Sequence, residues 1–94
     1  MEITFDPSKS ERNKAERNLP PTLVEYMEWS GTIIEEDMRK DYDERRYRAL
    51  GFIENRLHAV VFTPRAGKVH VTSLRKANPR EVKDYAKKNQ PRID

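Results

Sequence analysis

The stretch VHVTSLRKANPREVKDY, Val69 to Tyr85, holds a strand and a helix joined without a linker. Val69, Val71 and Thr72 are β-branched and suit a pleated, half-buried surface. Asn78 is a good helix N-cap, Pro79 fits the first helical position, and Glu81 stands where it completes a capping box. Arg75 and Lys76 fall at the junction, held by regular structure on both sides yet able to meet solvent. Taken alone, such a pair is an ordinary solvated turn. Its meaning depends on the rest of the chain.

Immediately upstream, Leu57 to Phe62 is almost continuously apolar, the pattern of a central strand covered on both faces. Pro64-Arg65-Ala66-Gly67 then predicts a turn into the Val69 strand. Arg45 to Ile53 reads as the preceding strand. Tyr47, Ala49 and Gly51 fall on one face, and Arg46, Arg48, Leu50 and Phe52 on the other. Glu54-Asn55-Arg56 joins the two as a hairpin. Thr32 to Glu35 is a shorter strand that runs into an acidic stretch ending at Glu44, expected to be a solvated loop. That stretch lacks the glycine spacing of a calcium loop.

The N-terminal third is more polar. Glu2 to Phe5 alternates as a first strand, and Asp6-Pro7 caps a helix from Ser8 to about Arg17 whose Lys9, Arg12 and Lys14 face solvent. Asn18 and Pro20-Pro21 end it. Thr22, boxed by Glu25, starts a second helix with Leu23, Val24 and Met27 as its apolar stripe, followed by Trp29 as a core residue. At the other end, the helix from Pro79 to about Asn89 is predicted to pack by Val82, Tyr85 and Ala86, with Pro91 closing it. The order is β-α-α-β-β-β-β-α. Strands and helices segregate, which is an α+β class built on a central antiparallel sheet.

With 94 residues, 35% hydrophobic and 37% charged, the expectation is a single small domain over 1–94 with a thin core. The mean hydropathy is -1.02. No apolar run approaches the length of a membrane span, and no signal-peptide pattern opens the chain, so a cytoplasmic protein is expected. Zero cysteines exclude disulfides and thiolate metal sites. Two distant histidines make no zinc pattern, so neither a metal nor another cofactor is expected. The charge is lopsided: residues 1–44 carry 6 Lys and Arg against 12 Asp and Glu, and residues 45–94 carry 13 against 4. A half with a net +9 points to a polyanion partner, of which nucleic acid is the commonest.

Three arginines fall beside the ends of the meander: Arg46, Arg65 and Arg75. Neighbouring strands lie about 4.8 Å apart, so these side chains are expected to converge on one groove. Guanidinium groups match phosphate oxygens with two parallel hydrogen bonds and keep their charge. They suit RNA binding, and they suit the extra negative charge formed when a 2′-hydroxyl attacks its phosphate. Lys76, Lys68, His70 and His58 are the candidate proton carriers or secondary RNA contacts. His58, in an apolar strand, equally reads as a buried, hydrogen-bonded core residue. His70 equally reads as a polar surface residue.

Four segments together resemble the BrnT family of toxins: FDPSKSERN (Phe5–Asn13), ERRYRALG (Glu44–Gly51), RLHAVVFTPR (Arg56–Arg65) and VHVTSLRKANPREVKDY (Val69–Tyr85). The resemblance covers nearly the whole chain. It implies a RelE-like fold and a metal-free endoribonuclease that arrests translation. It further implies a cognate ribbon-helix-helix antitoxin as partner, with operator DNA reached through that antitoxin and no membrane involved. Arg46, Arg65 and Arg75 match the family's arginine positions, with Lys76 secondary. Two departures stand out. Lys14 and Glu16-Arg17-Asn18 replace an apolar residue and a Lys-His-Gly-like helix end, and His70 stands where an arginine is common. The alternative is a non-catalytic RNA- or partner-binding module, such as a decayed toxin or a co-repressor subunit.

Overall fold

A computed structural model describes residues 2–5, 19–39, 41 and 43–89. The helix expected over Ser8 to Arg17, its caps, and Pro91 lie outside them. Five strands form one sheet: β1 (Ile3–Phe5), β2 (Ile33–Glu36), β3 (Tyr47–Ile53), β4 (Arg56–Arg65) and β5 (Lys68–Lys76). They lie in the order β1-β5-β4-β3-β2. β2 to β5 make the expected antiparallel meander. β1 closes the far edge by pairing parallel to β5, Ile3 opposite Val69 and Phe5 opposite Val71.

The alternation read from β3 holds. Ala49, Ile53, Val60, Phe62, Val71 and Leu74 are buried in one cluster with Leu19, Val24 and Met27. That core face is covered by a 3-10 helix at Pro21–Tyr26, not by the α-helix expected there. Its N-cap is Pro20, and no side chain caps it, so the Thr22–Glu25 box does not form. The six residues from Pro21 to Tyr26 are too few for α-helical turns to repay their nucleation, and a 3-10 turn satisfies the same segment. Met27 then bridges to Ile53. Gly51 is required beneath it, because a Cβ there would lie 2.9 Å from Met27 Sδ and 2.2 Å from Thr32 Oγ1. Trp29 packs against this core, edge-on to Phe62 at 5.9 Å.

Two departures from the sequence reading bear on the arginines and the acidic stretch. β4 continues through Pro64 to Arg65. Pro64 is tolerated because it lies past Phe62, the last β4 residue that β3 pairs, so its missing N–H faces no partner strand. The turn shrinks to Ala66 and Gly67, both at positive φ (50° and 76°), the conformation that a two-residue hairpin favours. The acidic stretch is not all a solvated loop. Glu35 and Glu36 belong to β2, and Asp37 is buried, accepting hydrogen bonds from Arg39 Nε (2.8 Å) and Nη2 (2.7 Å).

The C-terminal helix α1 (Pro79–Lys88) begins with the predicted capping box: the Glu81 N–H donates to Asn78 Oδ1 at 2.8 Å, and the Asn78 N–H donates to Glu81 Oε1 at 3.0 Å. Its expected apolar packing is largely absent. Val82 and Ala86 are exposed, and the helix buries no residue. Tyr85 is its main packing contact, with its ring edge-on to Phe52 at 5.4 Å and its hydroxyl donating to Gly31 O at 2.7 Å. Among the described residues, no helix is long and apolar enough to cross a membrane.

Candidate functional site

The face opposite the core carries the arginines. Arg48 pairs with Val61, Arg75 with Ala59, His70 with Thr63 and Lys68 with Arg65, all on this second face. Arg46 precedes β3 in the same alternation. The pairing of His58 with Gly51 and Lys76 places both candidates on the core face instead. His58 is buried, and its Nδ1 donates to Arg56 O at 2.8 Å. Lys76 therefore projects away from Arg75, its neighbour in sequence, because successive strand residues point to opposite faces.

Two hollows on the second face bear on the arginines. One, of about 300 Å³, is lined by Arg46, Arg65, Asp43, Glu44, Thr63 and Thr72. The other, of about 240 Å³, lies between the sheet and α1, with Arg48, Arg75, Ser73, Glu81, Lys88 and Arg39 on its walls. Arg46 and Arg65 thus come together, while Arg75 sits apart. Arg75 pairs with Ala59, six residues from Arg65 on β4, which corresponds to about 20 Å of strand. A register shift between Val61 and Phe62 separates the two hollows. At the shift Thr72 Oγ1 donates to Val61 O at 3.0 Å, and bulges of this kind re-aim side chains beside functional sites.

Arg65 and Arg75 are each gripped by a carboxylate, but by a different edge. Arg65 donates from Nε (3.0 Å) and Nη2 (2.7 Å) to Glu44, so its side-on fork is filled. Arg75 donates from Nη1 (2.6 Å) and Nη2 (2.9 Å) to Glu81, end-on, with a longer bond from Nη1 to Lys76 O. These bonds leave the Arg75 Nε–H and one Nη2 hydrogen unused among the described residues. The hydrogen bond from Arg75 holds Glu81 below the usual carboxylate range, assisted by the Asn78 N–H and by the Arg48 charge. Arg65 does the same to Glu44, with help from His70 and Arg46. Both guanidinium groups are raised in turn, chiefly by these hydrogen bonds.

The remaining candidates also have partners. His70 Nδ1 and Thr4 Oγ1 share a 2.8 Å hydrogen bond, and Lys68 Nζ lies 2.8 Å from Glu2 Oε2. Lys88 pairs with Glu35, pinning the end of α1 to the edge strand β2 and drawing the Glu35 carboxyl down. Sequence reasoning placed Arg48 on the arginine face but did not select it as a site residue. It also read Glu81 only as a cap. The alternation of Arg46 with Arg48 was the available signal for the first. The second needed the fold, since Glu81 meets Arg75 only once the strand has turned into the helix.

Comparison with known families decides what this face belongs to. A family model described as the ribonuclease toxin BrnT of type II toxin–antitoxin systems matches residues 5–81. The chain belongs to the BrnT family. Membership implies an RNA substrate and an antitoxin partner. The crystal structure of the Brucella abortus ribonuclease toxin BrnT has the same fold, with a TM-score of 0.65 over 83% of this chain and 97% of that one, at 23% identity. Comparison with curated proteins finds no match to the sequence. All five strands and the capping box at the start of α1 fall within or overlap the span matched to BrnT.

Proposed function

We propose that this BrnT chain is a metal-independent endoribonuclease acting in the cytoplasm. In this reading RNA lies across the second face of a RelE-like sheet, and a ribbon-helix-helix antitoxin that contacts operator DNA neutralises it. The supporting observation is the placement of Arg46, Arg48, Arg65 and Arg75 on that one face. Arginines spread over about 20 Å of strand suit successive phosphates of an extended strand better than a single one.

Cleavage is assigned to the hollow of Arg46 and Arg65. Of the four proton-transfer candidates, His58 and Lys76 lie on the other face, while His70 lies beside Glu44 and Arg65. A 2′-hydroxyl there loses its proton to a base, attacks the phosphorus of the adjacent 3′-phosphate, and expels the 5′-oxygen, which takes a proton from an acid, leaving a 2′,3′-cyclic phosphate. Arg46 and Arg65 stabilise the charge that accumulates on the phosphorane oxygens. Arg75 anchors a neighbouring phosphate.

Expression without an antitoxin should arrest growth, and Arg75→Ala should relieve the arrest. Purified protein should cleave single-stranded RNA in the presence of EDTA. Soluble protein that allows normal growth and leaves RNA intact would instead favour a binding module.

A further inference from the structure

Glu81 does two things with one carboxylate. Oε1 accepts from the Asn78 N–H (3.0 Å) and from Arg75 Nη1 (2.6 Å), and Oε2 accepts from Arg75 Nη2 (2.9 Å). The first bond closes the capping box of α1. The other two fix the plane of the Arg75 guanidinium. A side chain at the end of a strand is thereby tied to the first turn of the helix that follows it. The pair is only partly open to water, 38% exposed at Arg75 and 20% at Glu81, so the salt bridge is less screened than a surface one.

The edge used matters. A guanidinium presents two bidentate faces, the end-on pair of Nη atoms and the side-on fork of Nε and Nη2. Glu81 takes the end-on pair, and the Nε–H and an Nη2 hydrogen remain for an incoming anion. Arg65 shows the opposite arrangement, its fork filled by Glu44. The same residue type thus receives two different treatments on one face.

We propose that Glu81 is a positioning residue: it holds Arg75 with its side-on fork open to an RNA phosphate, and so sets the affinity of the α1 end of the face for RNA. This rests on the reading that the arginine face binds RNA. Held in place beforehand, the guanidinium loses less freedom on binding, so removal of Glu81 costs affinity although it deletes a negative charge from a polyanion site. Simple electrostatics predicts the reverse sign.

The test is a double-mutant cycle of Glu81→Gln with Arg75→Lys. Glutamine still serves a capping box, so the helix start survives while the bidentate pair is lost. Lysine keeps the charge but has no fork. The probes are a cleavable RNA oligonucleotide and its 2′-deoxy counterpart, which cannot be cut. In the wild-type background Glu81→Gln should weaken binding and raise KM by about tenfold, with a smaller change in kcat. In the Arg75→Lys background the same substitution should have little effect or strengthen binding slightly. Thermal midpoints of all four proteins check folding.

Tighter binding by the single Glu81→Gln variant would overturn the proposal. So would an equal loss in both backgrounds, which would make Glu81 merely structural. If Arg75→Lys leaves binding of both probes and cleavage of the RNA probe unchanged, it is the RNA-face reading at Arg75 that fails. A weakened Arg75→Lys beside an unaffected Glu81→Gln would sink the positioning role alone.

Discussion

Arg65 and Arg75 show how little a residue type says about its availability. Arg65 is exposed, and its ion pair with Glu44 is of the screened, surface kind that contributes little to stability. Yet that pair fills the fork a phosphate would use. Arg65 lowers the Glu44 carboxyl below its ordinary value, so the competition persists at neutral pH and ends only in acid, as Glu44 takes up a proton. Replacing Glu44 should therefore help RNA. Glu44→Gln is expected to tighten binding of a 2′-deoxy oligonucleotide by about threefold, measured by fluorescence anisotropy at fixed salt. Unchanged or weaker binding would show that Arg65 does not meet the nucleic acid. Glu44 and Glu81 carry the same charge and are predicted to act with opposite signs, which only the edge they occupy explains.

Among the elements, α1 is the least anchored. Its capping box starts it firmly, but no side chain of it is buried, and Tyr85 provides its main seat. An aromatic edge contact and one hydrogen bond together are worth about 2 kcal/mol. Tyr85→Ala should accordingly speed amide exchange in residues 82–88 by roughly 30-fold, while β4 amides exchange as before. Uniform acceleration across the sheet would mean that α1 is part of the cooperative core. The strands and this helix were legible in sequence because their signals are local: alternation in β3, the apolar run of β4, and the Asn78-Pro79-Glu81 start of α1. The 3-10 helix over Pro21–Tyr26 was not, since an apolar stripe at helical spacing fits either helix in so short a segment. Parallel pairing of β1 with β5 was hidden too, because it joins residues 66 apart and leaves no local trace. That Arg46, Arg65 and Arg75 share one face was legible, but their separation was not. It depends on β4 running three residues past Phe62, through a proline that ordinarily marks a turn.

For the molecule as a whole, the sheet sorts chemistry by face. The 3-10 helix and the residues flanking it bury one side with Val24, Met27 and Leu19, which leaves the other to carry guanidinium groups under a lightly docked helix. The net +9 of residues 45–94 is what makes such a face possible, and the acidic first half supplies local partners in Glu2, Glu35 and Glu44. A polyanion has to displace or accommodate these carboxylates, so binding should weaken steeply with salt. The most direct measurement is a titration of isotope-labelled protein with the 2′-deoxy oligonucleotide, following the arginine Nε–H resonances. The account predicts that Arg46, Arg48, Arg65 and Arg75 shift together, while Arg56 and the backbone around Val24 and Met27 stay in place. Shifts confined to the 3-10 helix and the core side of the sheet, with those four arginines unmoved, would contradict it.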